Sequence, residues 1–205
     1  DESTTVSLTF DGKPNVTMAA GATATSDPIK FPMNPRQSVA ITIHYGHASS
    51  TSVTGHPSSR TTSYLATGNT CDFSNAIRTE HWYNIRGIDV LASLETGAVA
   101  ILGNSITDGR GSTTNNQNRW PDILSERLLA NEATKNVAVL NMGIGGNCML
   151  GGGLGPIGRI RSKADLLEQP GVKWIILFEA INDLGWARDS RGSANAIIEV
   201  YKQII

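Results

Sequence analysis

The fold of this chain is decided by residues 98–109, which read AVAILGNSITDG. The first five residues are apolar and are typical of a strand buried on both faces, and small and polar residues follow at once. In an open α/β sheet, ligands bind at the carboxyl ends of the strands, so a serine in this place is a candidate nucleophile. The stretch therefore predicts a sheet strand that ends at Ser105.

The same pattern occurs twice more along the chain. Residues 137–140 form an apolar run that leads to a glycine-rich stretch containing Gly146, and residues 174–178 form another that leads to Asn182. Helices are predicted between and after these runs, over the segments 120–129, 160–168 and 193–205. Strands that alternate with helices indicate a three-layer α/β/α fold with a parallel sheet.

The three polar clusters are expected at one edge of this sheet. Right-handed crossovers place the carboxyl ends of parallel strands on the same side, which brings Ser105, Gly146 and Asn182 together. Acyl transfer needs a nucleophile and N–H donors aimed at the oxygen that becomes negative. A hydroxyl, a glycine backbone and a side-chain amide supply these groups, so the edge is a candidate site for acyl transfer.

The first part of the chain has a different pattern. Apolar and polar residues alternate over residues 6–10 and 39–45, as in half-buried strands, and Ser, Thr and Gly separate the segments. This pattern predicts an all-β sandwich or jelly-roll module over residues 1–94. The domain boundary is expected between residues 94 and 95, with a hydrolase domain over residues 95–205.

Composition limits the classes of partner. The formal net charge of the 205 residues is −1, which gives no electrostatic reason to expect nucleic acid or an anionic membrane. No metal is expected, because His44 and His47 would face opposite sides of a strand. No cofactor is expected either, because Cys148 stands where a dinucleotide-binding motif that starts at Gly143 requires Gly or Ala. Cys71 and Cys148 match no metal-ligand spacing and are either a disulfide in a secreted protein or two buried thiols.

The motifs resemble those of the SGNH, or GDSL-type, esterases. Residues 103–109 are similar to the first block of that family, residues 141–147 to its glycine block, and residues 180–183 to its third block. The three blocks occur in the family's order and cover roughly residues 95–190. The β-rich part resembles the module that precedes this domain in some secreted carbohydrate-active members.

The resemblance implies a site and a substrate. Ser105 would be the nucleophile, and the Ser105 N–H, the Gly146 N–H and the Asn182 side chain would form the oxyanion hole. The implied function is a secreted serine esterase that removes O-acyl groups, in particular O-acetyl groups, from carbohydrate. A lipase or thioesterase acting on small acyl esters is the first alternative, and a carbohydrate-binding protein with a decayed esterase site is the second.

Three positions depart from the family pattern. Asn104 and Ile106 replace the usual Asp and Leu, and Ala180 replaces the usual glycine. The family's Asp-x-x-His block, which carries the catalytic histidine, is absent, since no histidine follows Ser105. We therefore expect that the hydrolase domain lacks its C-terminal part and that a further chain or segment supplies the histidine.

Overall fold

The computed structural model describes residues 4–47 and 53–205. The chain divides into two compact units, residues 1–44 and residues 45–205. This division lies elsewhere than the boundary expected between residues 94 and 95, which stays a prediction.

The second unit contains the parallel sheet that the apolar runs predict. Its strands are β5 (Gly97–Gly103), β6 (Val137–Gly143) and β7 (Val172–Phe178), in the order β6-β5-β7 with all pairs parallel. The central strand β5 is buried along its whole length, which explains why its sequence is continuously apolar. Gly103 pairs with Gly143 and with Phe178, so the three strands end together.

Helices follow each strand of this sheet. They are α1 (Ser105–Asp108), α2 (Trp120–Leu129), α3 (Gly158–Ser162) with a π-helical turn (Lys163–Leu167), α4 (Ile181–Gly185) and α5 (Ser190–Ile204). The three long helical segments are those that the sequence predicts. The short helices α1 and α4 begin where only polar loops were expected.

The helices cover both faces of the sheet. Ala100 and Leu102 on one face of β5 form a buried cluster with Leu166 and Ile197, which belong to the π-helical turn and α5. Residues alternate between the faces of a strand, so Phe178, which pairs with Gly103, lies on the opposite face. There its ring meets the first residue of α2, Trp120, edge to face at 5.9 Å. The three-layer α/β/α arrangement is therefore confirmed.

The β-sandwich expected over residues 1–94 is not confirmed. Within residues 4–47 the structure has one isolated bridge and no strand. Residues 53–94 contain two antiparallel pairs, β1 (Gly55–His56) with β4 (Trp82–Tyr83), and β2 (Ser63–Leu65) with β3 (Ile77–Thr79). The alternating residues Val39, Ile41 and Ile43 are 37–42% exposed, and none of them pairs with a strand in the part of the chain that the structure describes.

Two further features of the described residues bear on the sequence analysis. Cys71 is exposed and Cys148 is buried, and both are free thiols in the structure. No helix in the described ranges combines the length and apolar character needed to span a membrane.

Candidate active site

Ser105 is the first residue of α1, directly beyond the end of β5. The preceding residue, Asn104, caps this helix, because its Oδ1 accepts a hydrogen bond from the Ile106 N–H at 3.1 Å. Ser105 itself is half-buried. Neither its hydroxyl nor its backbone N–H makes a hydrogen bond within the described residues.

The glycine block lies against α1 through very close backbone contacts. A Cβ on Gly143 would stand 2.2 Å from the backbone nitrogen of Asp108, so only glycine fits at this point. Two residues on, the Gly145 N–H donates to the Asp108 carboxylate at 2.8 Å. Gly146 has a φ of 73°, and its N–H has no acceptor in the described part of the chain.

The backbone N–H groups of the neighbouring residues Gly145 and Gly146 therefore differ in their use. The Gly145 N–H is already used by the fold, and it cannot also point at a substrate oxygen. The Gly146 N–H is unused, as the oxyanion role expected for it requires.

Asn182 lies in the first turn of α4, after the end of β7. Its Nδ2 donates to the backbone oxygen of Asn147 at 2.7 Å. A side-chain amide nitrogen carries two N–H groups, so one remains for a ligand. Ala180, before the helix, has a left-handed φ of 87°, a conformation that costs an L-residue about 1–2 kcal/mol.

The three expected site residues therefore end up on linked loops. Asp108, at the end of the Ser105 helix, holds the glycine loop through Gly145, and the glycine loop holds Asn182 through Asn147. The two bonds join the loops that follow β5, β6 and β7. The Ser105 hydroxyl, the free Gly146 N–H and the Asn182 amide are thus held at one sheet edge.

Two acidic residues of the motifs, Asp108 and Asp183, accept hydrogen bonds from backbone N–H groups of the glycine loop and the segment after it. Asp183 accepts hydrogen bonds from the backbone N–H groups of Met149 and Leu150 at 2.7 and 2.8 Å. Burial raises the pKa of Asp108, against opposing contributions from the Gly145 N–H and the charge of His56.

Arg161 joins the ends of the strands. The side chain of this α3 residue is 5% exposed, and its guanidinium donates to the backbone oxygens of Gly103 in β5 and Met142 in β6 at 2.9 and 2.7 Å. It also donates to Asn147 Oδ1 at 3.0 Å and lies 3.7 Å from the carboxylate of Glu179, directly after β7. One side chain therefore contacts the carboxyl end of every strand in the parallel sheet.

Glu179 is a fully buried carboxyl beside the site. One oxygen accepts the Ala180 N–H at 3.0 Å, while Oε2 has no hydrogen-bond partner among the described residues. Burial raises the pKa of Glu179, and the Ala180 N–H, the Asn104 side chain and Arg161 oppose that rise.

No histidine contacts Ser105 through a hydrogen bond in the described residues, which include all four histidines. The ring of His56 packs edge to face on Trp82 at 6.3 Å, and His81 Nδ1 is 2.9 Å from the Pro57 oxygen. None of these four histidines is therefore in hydrogen-bond contact with the Ser105 hydroxyl.

Sequence reasoning missed Arg161, Glu179 and Asn147. An arginine four residues before Asp165 on a helix suggests an exposed ion pair, and that pair is present at 2.8 Å. Nothing in the local pattern shows that the same guanidinium reaches three strand ends. The sequence does contain one indication of this role: Arg161 is a charged residue on a helix that is predicted to pack against the sheet.

The comparisons with known proteins agree with this architecture. The model of the GDSL-like lipase/acylhydrolase family matches residues 101–205. The chain belongs to this family. The part of this chain that matches the acylhydrolase model begins in β5 and includes the three expected site residues, Ser105, Gly146 and Asn182. No curated protein sequence matches the chain.

Several solved structures are similar to the chain. One is the crystal structure of AlinE4, a SGNH-hydrolase family esterase, with 22% identity, a TM-score of 0.40, and coverage of 55% of this chain and 56% of that chain. Two mutants of the AlinE4 esterase match with 19% and 18% identity, TM-scores of 0.43, and 55% coverage of both chains. The chain thus spans about half the length of these structures.

Replacing Arg161 should destabilise the fold strongly. Arg161→Met removes the hydrogen bonds to the oxygens of Gly103 and Met142 and the cation beside the buried Glu179 carboxyl, and we expect a loss of about 3–5 kcal/mol in the free energy of unfolding. Arg159→Met, at an exposed position of the same helix, is the matched control and should change this free energy by about 0.5 kcal/mol or less. Urea unfolding measures both, and equal midpoints for the two variants would contradict the role of Arg161.

The buried Glu179 carboxyl should make stability depend on pH. Because its pKa is raised in the folded state, the unfolded chain loses this proton first, and stability falls as the pH rises above the ordinary value of 4.5. The side chain of Glu179→Gln cannot titrate, so the stability of this variant relative to the wild type should increase as the pH rises above 4.5. Glu199→Gln, at a side chain that is 65% exposed, is the control, and identical pH slopes in all three proteins would refute the expectation.

Proposed function

We propose that the chain is a carboxylic ester hydrolase with Ser105 as the nucleophile. The observation that carries the proposal is the pair of unused N–H groups, of Ser105 and Gly146, on hydrogen-bonded loops beside an amide with a second free N–H. Two backbone donors and one amide donor are a set suited to a developing oxyanion.

The mechanism is a two-step acyl transfer. Ser105 Oγ attacks the ester carbonyl carbon and gives up its proton, and the carbonyl oxygen becomes an anion held by the Ser105 and Gly146 N–H groups and Asn182. Collapse of this intermediate expels the alcohol, which takes a proton, and leaves an acyl-serine. Water then attacks the acyl-serine through a similar intermediate, which releases the acid and restores the hydroxyl.

The general base comes from outside the contacts seen around Ser105. A histidine is the usual group for accepting the hydroxyl proton, and none of the four histidines is hydrogen-bonded to this serine. We assign this role to a further chain or segment. Free imidazole can then serve as its replacement in an experiment.

The substrate is proposed to be an O-acetylated carbohydrate outside the cell. The resemblance to secreted carbohydrate-active esterases suggests this class, and an exposed tryptophan next to the site supports it. Trp186 is 64% exposed and caps the C-terminus of α4, where its backbone N–H donates to the Asn182 oxygen at 3.1 Å. Its large apolar face with one N–H suits a sugar ring, which is also both apolar and polar.

Ser105-dependent acyl transfer is the first test. The wild type should release a burst of p-nitrophenol from p-nitrophenyl acetate, and Ser105→Ala should abolish it, while Ser125→Ala in α2 should retain it. Added imidazole should raise turnover in the wild type and give Ser105→Ala only the rate of imidazole in solution. A burst that persists in Ser105→Ala would exclude this nucleophile, and carbohydrate binding without any turnover would favour a decayed site.

Loss of the Asn182 donor should reduce catalysis without preventing binding. Asn182→Ala is expected to lower kcat by roughly 10²–10³ with a small change in KM, because the donor acts on charge that appears only in the transition state. Asn116→Ala, at an exposed loop position, is the control. An unchanged kcat in a folded Asn182→Ala protein would remove Asn182 from the oxyanion hole.

A further inference from the structure

The glycine-rich segment after the site, residues 151–155, folds back onto the glycine block. The Leu154 N–H donates to the Gly146 oxygen at 2.9 Å. Asn147 Nδ2 donates to the backbone oxygens of Leu154 and Pro156 at 2.7 and 2.8 Å. The backbone of Leu154 is therefore bonded on both sides to the loop that carries Gly146.

Two flanking glycines make this fold possible. Gly153 and Gly155 have left-handed φ values of 74° and 69°. A Cβ on Gly153 would lie 2.4 Å from the Gly146 oxygen, and one on Gly155 would lie 3.1 Å from the Ile144 side chain. Larger residues at either position would push the segment away from the glycine block.

These contacts hold the apolar side chain of Leu154 beside the site, where it is exposed to solvent. Leu154 is 59% exposed, yet a Cβ on Gly146 would lie 3.0 Å from its Cδ1 and 3.1 Å from its Cγ. The isobutyl group thus covers the Cα of the residue whose N–H is unused. A leucine that contributes to the core would be buried, whereas this one has a fixed backbone and a free apolar surface.

We propose that Leu154 is a specificity-determining residue that contacts the acyl chain of the ester. This inference rests on the proposed function. When an oxyanion lies about 3 Å from the Gly146 N–H, the acyl carbon bonded to it lies within one side-chain length of Gly146. An aliphatic acyl chain then removes apolar surface of Leu154 from water, and each added methylene increases the contact.

The test compares acyl chains of different length in the 205-residue protein with imidazole added. The measured quantity is the Ser105-dependent kcat/KM, taken as wild type minus Ser105→Ala, for p-nitrophenyl butyrate and p-nitrophenyl acetate. Leu154→Ala should lower the butyrate-to-acetate ratio about threefold to tenfold, because a partly exposed contact discriminates less than a closed pocket. Leu154→Met should restore most of the ratio, and Leu167→Ala, at a position that is 61% exposed, should leave it unchanged.

Three other outcomes would contradict either the contact between Leu154 and the acyl chain or the proposed function. An equal loss for both esters in Leu154→Ala would show that the residue only supports the loop. An unchanged acyl ratio with altered discrimination between p-nitrophenyl and methyl esters of one acid would place Leu154 on the alcohol side. No Ser105-dependent turnover in the wild type would overturn the proposed function itself, and the inference with it.

Discussion

The guanidinium of Arg161 is the interaction on which the sheet edge depends. Buried backbone oxygens at the ends of the strands need donors inside the protein, and the Gly103 oxygen accepts the Ile144 N–H at 3.0 Å as well as the Arg161 guanidinium. Arginine has five N–H donors in a planar fork, and here they reach Gly103, Met142 and Asn147. The carboxylate of Glu179 lies beside the same group at 3.7 Å. The loops that start at the three strand ends are therefore positioned relative to one charge.

The candidate site is defined by two kinds of hydrogen-bond donor: those that bond within the protein and those that have no acceptor there. The Gly145 N–H holds Asp108, and one N–H of Asn182 holds the backbone of Asn147. The N–H groups of Ser105 and Gly146 receive no partner in the described residues. Donors that are fixed in place and unpaired bind a developing anion without further reorganisation, which is the physical basis of the proposed esterase activity.

The proposed oxyanion donors and the proposed selectivity residue lie in different segments. The donors belong to short turns that end rigid strands, and their positions follow from the sheet. Leu154 belongs to the glycine-rich segment beyond them, which is exposed over residues 151–155 and is bonded to residues 146–147 through the backbone of Leu154. A change in that segment can alter contacts with a substrate while the strand ends keep their geometry.

The sequence by itself determined the parallel sheet, its long helices and the order of the polar clusters, because burial on both faces and helical periodicity are local patterns. It also determined that Ser105, Gly146 and Asn182 share an edge, since parallel strands have one carboxyl side. Alternation over residues 39–45 did not produce a strand, because a strand also needs a partner. Only the tertiary structure decided which glycine keeps a free N–H and that Arg161 joins the strands, because those contacts connect residues 14 to 58 positions apart.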